Sequence, residues 1–353
     1  MIQYLCNVYY MNFVNLIIKK IKSYPLTAKI SNPVVSHFTK DSNIQLTNTH
    51  YFPQDIKEHI LEHTKYIVKY ETEKTSITFY TFENTIQLQS LNKHVKLMLC
   101  WISIAEQYSI YKCNDRLNVI IYLTPLKKIL PKKGQVLSST NCNTGFSSLC
   151  NEGNEITIYR KEEWFKVFLH ESFHYFGFDY SNMDVSLVHQ ELQHYFCIKT
   201  DILLFESYTE FFAEIIHLCF YCVLNNKKFE SCIEKEIRFS IQQTNKVLNH
   251  MELTYDDFFD NCNEVGKKYK EDTNCFSYYI LKTILLFYWK DFLRWCNTNN
   301  TNILTFSQNN KQVIDFCNFI KSKSNEPSLL SAIHLSGNNL NNTTDLRMTS
   351  FDI

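Results

Sequence analysis

The spacing of apolar and polar residues changes character about midway along the chain. Between 66 and 82, YIVKYETEKTSITFYTF places two runs rich in β-branched and aromatic residues on either side of a charged turn, which predicts a hairpin. Residues 91–109 repeat apolar positions at three and four and predict a helix, whereas LNVIIYLTP (117–125) is a short, nearly continuous apolar run that predicts a buried strand. After an irregular stretch, EITIYR (155–160) alternates Ile156 and Ile158 with Thr157 and Tyr159, the pattern of a half-buried strand at a sheet edge. KEEWFKVFLHESFHYFG follows as a helix, with acidic residues at its start to suit the macrodipole and Gly177 as its stop. Beyond Tyr180 the pattern is almost wholly helical, with segments near 185–197, 201–224, 230–250, 275–297 and 310–321. The class this predicts is α+β: a small mixed sheet with an edge strand and one central helix, then a mainly helical C-terminal subdomain.

The two ends read differently from this body. The first 24 residues are apolar but interrupted by Gln3, Asn7, Asn12 and Asn15, with no positive charge before them and no small-residue cleavage site after. A packed amphipathic helix fits them better than membrane attachment. Residues 26–52 read as a connecting loop, and the Asn-, Ser- and Thr-rich end as a mostly disordered tail. The expected organisation is an N-terminal helical and loop segment (1–64), a sheet-bearing subdomain (65–180), a helical subdomain (181–322) and the tail (323–353).

Composition narrows the partners. Lys plus Arg (36) equals Asp plus Glu (36), and no arginine-rich block occurs, so the footprint of a nucleic-acid binder is missing. Thirteen cysteines follow no regular frame, and Cys219, Cys222 and Cys296 sit in apolar helical stretches where free thiols serve as small core residues. An intracellular, reducing compartment is the expectation. The C-x-x-C of Cys219 and Cys222 has no second pair and reads as core rather than as a zinc knuckle.

The chemistry concentrates in WFKVFLHESFHYFGFDY (164–180). His170, Glu171 and His174 form H-E-x-x-H, and at 3.6 residues per turn both imidazoles leave one face of the helix, where they can reach a single metal ion. Glu171 lies to the side, where it can act on water without ligating. A catalytic zinc takes three protein ligands, so a third is expected. The spacing H-E-x-x-H-x-x-G-x-x-H is met at Gly177 but broken by Tyr180. Asp179, Asp184, His189 and His194 lie at other spacings. A better candidate is FESYTEFFAEIIH (205–217), where Glu206, Glu210 and Glu214 recur every four residues on an otherwise apolar helix that leaves little width for a wet face.

H-E-x-x-H on one helix and E-S-Y-T-E on a later one resemble the gluzincin zinc metallopeptidases. The resemblance covers about residues 65 to 290 and extends to the strand and helix order of the zincin N-terminal subdomain. IYRKEEWFKVFLHESFH is also similar to uncharacterised metallopeptidases of large DNA viruses, in keeping with the AT-rich coding that the Asn, Lys, Ile, Tyr and Phe content suggests. The gluzincin resemblance implies Zn2+ as cofactor, His170, His174 and Glu206 as ligands, Glu171 as general base, and Glu210 as the carboxylate that orients a ligand histidine. It also implies an oxyanion donor well downstream, for which Tyr278 is preferred over its neighbour Tyr279, with His250 as a competitor.

The implied reaction is peptide-bond hydrolysis on a polypeptide substrate, with Ile156, Thr157 and Ile158 of the expected edge strand holding the substrate backbone. Two alternatives stand beside it: a zinc-stabilised scaffold without catalysis, and a helical protein-interaction module without metal.

Overall fold

In the computed structural model the mixed sheet is built from β1 (Val34–His37), β2 (Tyr66–Glu71), β3 (Thr75–Thr81), β4 (Leu117–Thr124), β6 (Gly145–Ser147) and β7 (Glu155–Arg160), in the order β1-β2-β3-β4-β7-β6. A separate two-stranded ribbon pairs β5 (Leu137–Ser138) with β8 (Glu271–Asp272). The structure describes all residues except 1, 26–30, 40–43, 45, 112, 114–115, 151 and 338–342, and for 2–11 it describes only the helical backbone. The expected hairpin is β2 with β3, while β3, β4 and β7 run parallel. The α+β class holds, with a helical C-terminal region after the sheet.

Strand 155–160 is not at the edge. Its residues pair with β4 on one side (Val119↔Ile156, Ile120↔Thr157, Ile121↔Ile158) and with β6 on the other (Phe146↔Thr157, Ser147↔Ile156). Ile156, Thr157 and Ile158 are all buried, so they offer no free backbone to a substrate. The edge belongs to β6, a three-residue strand too short to show an alternation of its own.

Helix Trp164–Tyr175 packs on this part of the sheet and is buried nearly all round: of its twelve residues only His174 is not fully buried. A helix wrapped by apolar side chains belongs inside the protein. It ends where expected. Gly177 adopts φ +62°, Gly177 N donates to His174 O and Phe178 N to Phe173 O, the paired bonds of a left-handed C-terminal cap. The ring of Tyr111 lies where a Cβ on Gly177 would fall, so the position is closed to larger residues. Glu163 is the residue before the first turn rather than part of it.

Helix Leu204–Asn225 crosses behind. It is the one helix among the described residues long and apolar enough to span a membrane, but 83% of that window is buried inside the fold. The N-terminal helix Ile2–Ser23 packs on it, with Phe13 meeting Phe212 edge-on, and Val14, Ile17 and Ile21 are buried too. The expected packed helix is therefore present over its described side chains. Part of the expected loop at 26–52 lies outside the described residues, and part of the remainder is β1.

The tail is not disordered where it is described. It opens with a helix, Pro327–Gly337, and 343–353 threads into the core. Leu346, Met348, Thr349 and Phe351 are buried, Lys282 Nζ donates to Met348 O (2.6 Å), and Glu163 accepts from Met348 N and Thr349 N. Polar composition hid this docking because the tail is held as much by buried charges as by apolar area. Glu236 takes three hydrogen bonds from Thr349 and Ser350, and Glu214 takes one from Thr349.

Burial, and then the neighbouring Glu214, raise the Glu236 carboxyl from 4.5 to about 8. The unfolded chain ionises Glu236 near 4.5, so between there and 8 the folded state binds the extra proton, and stability falls as pH rises through that window. Glu236→Gln is expected to remove this slope. Denaturant midpoints at pH 5.5 and 8.5 should differ less in the variant than in the wild type; an unchanged difference would rule out Glu236 as its source.

Among the described residues two disulfides, Cys113–Cys150 and Cys197–Cys262, join cysteines that sequence spacing did not pair. Cys219, Cys222 and Cys296 are free and buried, as expected.

Candidate metal centre

His170 and His174 leave the same face of helix Trp164–Tyr175 one turn apart, and Glu206 meets them from the first turn of helix Leu204–Asn225. The Nε2 atoms of the two histidines are 3.1 Å apart. Glu206 Oε2 lies 3.2 Å from His170 Nε2 and 3.5 Å from His174 Nε2. Ligands at 2.0–2.1 Å from a tetrahedral zinc lie roughly 3.3 to 3.4 Å from one another, and the three separations bracket that value. The three donor atoms converge on one point, and the two imidazoles are the groups that face the buried Glu206 Oε2. The group can hold a metal ion.

The far nitrogens are oriented by carboxylates. His170 Nδ1 is 2.9 Å from Glu210 Oε1, one turn beyond Glu206 on the same helix. His174 Nδ1 is paired with Asp179 Oδ2. Asp179, weighed from the sequence as a ligand, instead orients one, because the left-handed turn at Gly177 brings the chain back beside His174. Ser181 N (2.9 Å) and Ser181 Oγ (2.8 Å) donate to its other oxygen. Such carboxylate partners fix the tautomer that leaves Nε2 free for a metal.

Glu210 is also ion-paired with Lys166, which is completely buried one turn before His170. Burial alone would raise the Glu210 pKa, but Lys166 and then His170 hold it well below the usual carboxylate range. Glu206 behaves alike: burial opposes ionisation, and the two histidines outweigh it, leaving its pKa at about 2.

Glu171 does not join the triad. Its Oε2 accepts from Ser147 Oγ on the edge strand β6 (2.9 Å), and burial raises its pKa, offset in part by His170 and His174. Gly145 makes this approach possible, since a Cβ there would come within 2.8 Å of Thr157 O and 3.2 Å of Glu171 Cγ.

A cavity of about 200 Å³ opens over these groups, lined by Glu171, Ser147, Phe205, Tyr278 and Tyr51 among others. Tyr278 lies on a π-helical turn, Phe276–Leu281, with its ring 6.0 Å from that of His170 and its hydroxyl accepting from Asn274 Nδ2 (3.3 Å). Turns of this kind recur at functional sites. Tyr279 points away and donates to Leu346 O, and His250 pairs with Gln135 O outside the cavity. Glu214 is likewise elsewhere, in the network beneath the tail.

Ser147, Lys166, Asn274 and Tyr51 were not singled out by the sequence. Tyr51 lies 119 residues before His170 in an irregular stretch, and only the fold carries it to the site. A larger cavity, about 490 Å³, lies at the other end of the helix around Trp164, His217 and Arg347, away from the histidine and glutamate donors. No family model, curated protein or solved structure matches the chain.

Proposed function

We propose that this chain is a zinc-dependent peptidase of the gluzincin kind. The observation that carries the reading is the triad His170, His174 and Glu206, whose donor atoms stand at tetrahedral spacing beside a second acid, Glu171, that is held apart from them. Three protein donors facing a cavity suit a site that keeps one position open, whereas a structural zinc is usually closed by four, which favours catalysis over a scaffold role. Zinc, when bound, would lower the pKa of water and polarise a carbonyl.

The protein's own groups supply the rest. Glu171, with its pKa raised by burial, is placed to take a proton from water and return it to the departing amine. Ser147 fixes which carboxylate oxygen is engaged. Among the described residues β6 pairs only with β7, so an extended polypeptide can add along its outer side and lie across the cavity. Tyr278 is the donor toward the carbonyl oxygen as negative charge develops there.

Hydrolysis of a peptide library by the zinc-loaded protein tests this reading. Cleavage should stop with chelator and return with zinc, and Tyr278→Phe should keep zinc while losing roughly a hundredfold in rate. Cleavage indifferent to chelator would refute the metal mechanism, and full activity of Tyr278→Phe would remove that residue from it.

A further inference from the structure

We infer that Cys142 and Cys275 form a third disulfide, closed as the chain folds in the presence of a disulfide donor, and that this bond staples two walls of the metal centre. Their sulfurs are 2.9 Å apart and buried, although 133 residues separate them in sequence. A bond of about 2.05 Å needs an approach of less than an ångström more.

The nearness does not depend on two free rotamers. Cys142 closes the short helix Ser139–Cys142, directly after β5, and Cys275 follows β8 by three residues. Those two strands pair in register, Leu137 with Glu271 and Ser138 with Asp272. Thr273 Oγ1 donates to Asn143 Oδ1 (2.7 Å), a side-chain bond that ties the residue after Cys142 to the segment between β8 and Cys275. The chain already bonds two other pairs. By contrast, Cys219 and Cys222 sit on a single helix.

Burial, with Cys142 and Glu271 nearby, raises the Cys275 thiol well above its ordinary value, so the folded protein presents a poor nucleophile. The bond therefore forms before the pair is sealed. One cysteine thiolate attacks a sulfur of the donor disulfide, expelling one donor thiolate and leaving a mixed disulfide. The second cysteine thiolate then attacks the protein sulfur and expels the other. The two cysteines lose two electrons and two protons, and the donor gains them as two thiols.

Both sequence neighbours belong to the site. Asn143 lines the cavity, and Asn274 donates to Glu206 Oε1 (3.4 Å) and to the Tyr278 hydroxyl (3.3 Å). The cross-link would hold the turn carrying Tyr278 against the wall carrying Asn143. Its bearing on catalysis rests on the peptidase reading; the bond itself does not.

The test is a disulfide map of wild-type protein refolded from the reduced chain with reduced and oxidised glutathione. Samples are taken once Cys197–Cys262 has closed, then denatured and alkylated without reductant. The peptides bearing Cys142 and Cys275 should be recovered joined; recovery of both as alkylated single peptides from that material would overturn the proposal. The oxidised wild type should also melt several degrees above Cys142→Ser, with the gap closing in reductant. Equal midpoints would overturn the stapling role, and peptidase activity enters neither measurement.

Discussion

Glu171→Gln should bind zinc as the wild type does and hydrolyse peptides slower by a factor of roughly a hundred to ten thousand, the range for losing a general base. The substitution keeps the size of the side chain and leaves an amide oxygen to accept from Ser147 Oγ, so the contact with β6 survives. What disappears is the group proposed to take the proton. The three donor atoms are untouched, because Glu171 lies outside the triad. Single-turnover rates on one cleaved peptide, with zinc measured in the same samples, separate the alternatives. Loss of rate together with loss of zinc would make Glu171 a structural neighbour of the metal instead of a base, and an undiminished rate would remove it from the chemistry.

The largest effect on stability is expected at Glu163, the residue that joins helix Trp164–Tyr175 to the tail. Its carboxylate is ion-paired with the buried Lys128 and accepts from Met348 N (2.8 Å) and Thr349 N (2.6 Å). Burial works against its charge, yet Lys128 and then Lys166 and Arg347 keep its pKa below the ordinary value. Glu163→Ala strands a buried ammonium and two amides, at a cost of about 3 to 5 kcal/mol at neutral pH. Equilibrium denaturation measures it. Adding Lys128→Met should recover part of the loss, since the unpaired charge then goes too. A loss below about 1 kcal/mol in the single variant would mean that the tail is held mainly by its apolar residues.

What the sequence revealed, and what it hid, divides by the range of the contacts. The two histidines and the Glu206 and Glu210 pair were legible because each repeats at one helical turn on an apolar helix, where a charged residue needs a partner. The hairpin was legible from two β-rich runs around a charged turn, and the buried strand at 117–124 from a nearly continuous apolar run. The edge was misplaced because β6 is three residues long and its partner β7, buried on both sides, still alternates in chemical type. Asp179 was judged by its count from His174, whereas the left-handed turn at Gly177 decides where its carboxylate goes. The tail was judged by composition, although Glu163, Glu214, Glu236 and Lys282 bind its backbone and hydroxyls. Tyr51 and Lys166 gave no signal, since neither lies in a motif and both reach the site only through tertiary packing.

The central claim is that His170, His174 and Glu206 bind one zinc, and zinc content per chain tests it most directly. Protein prepared without chelator, reconstituted with zinc and freed of excess should be compared with Glu206→Gln and with Glu214→Gln, whose carboxylate belongs to the tail network. The account predicts one zinc per chain in the wild type and in Glu214→Gln, and a large loss in Glu206→Gln. No zinc in the wild type, or equal zinc in the two variants, would contradict it.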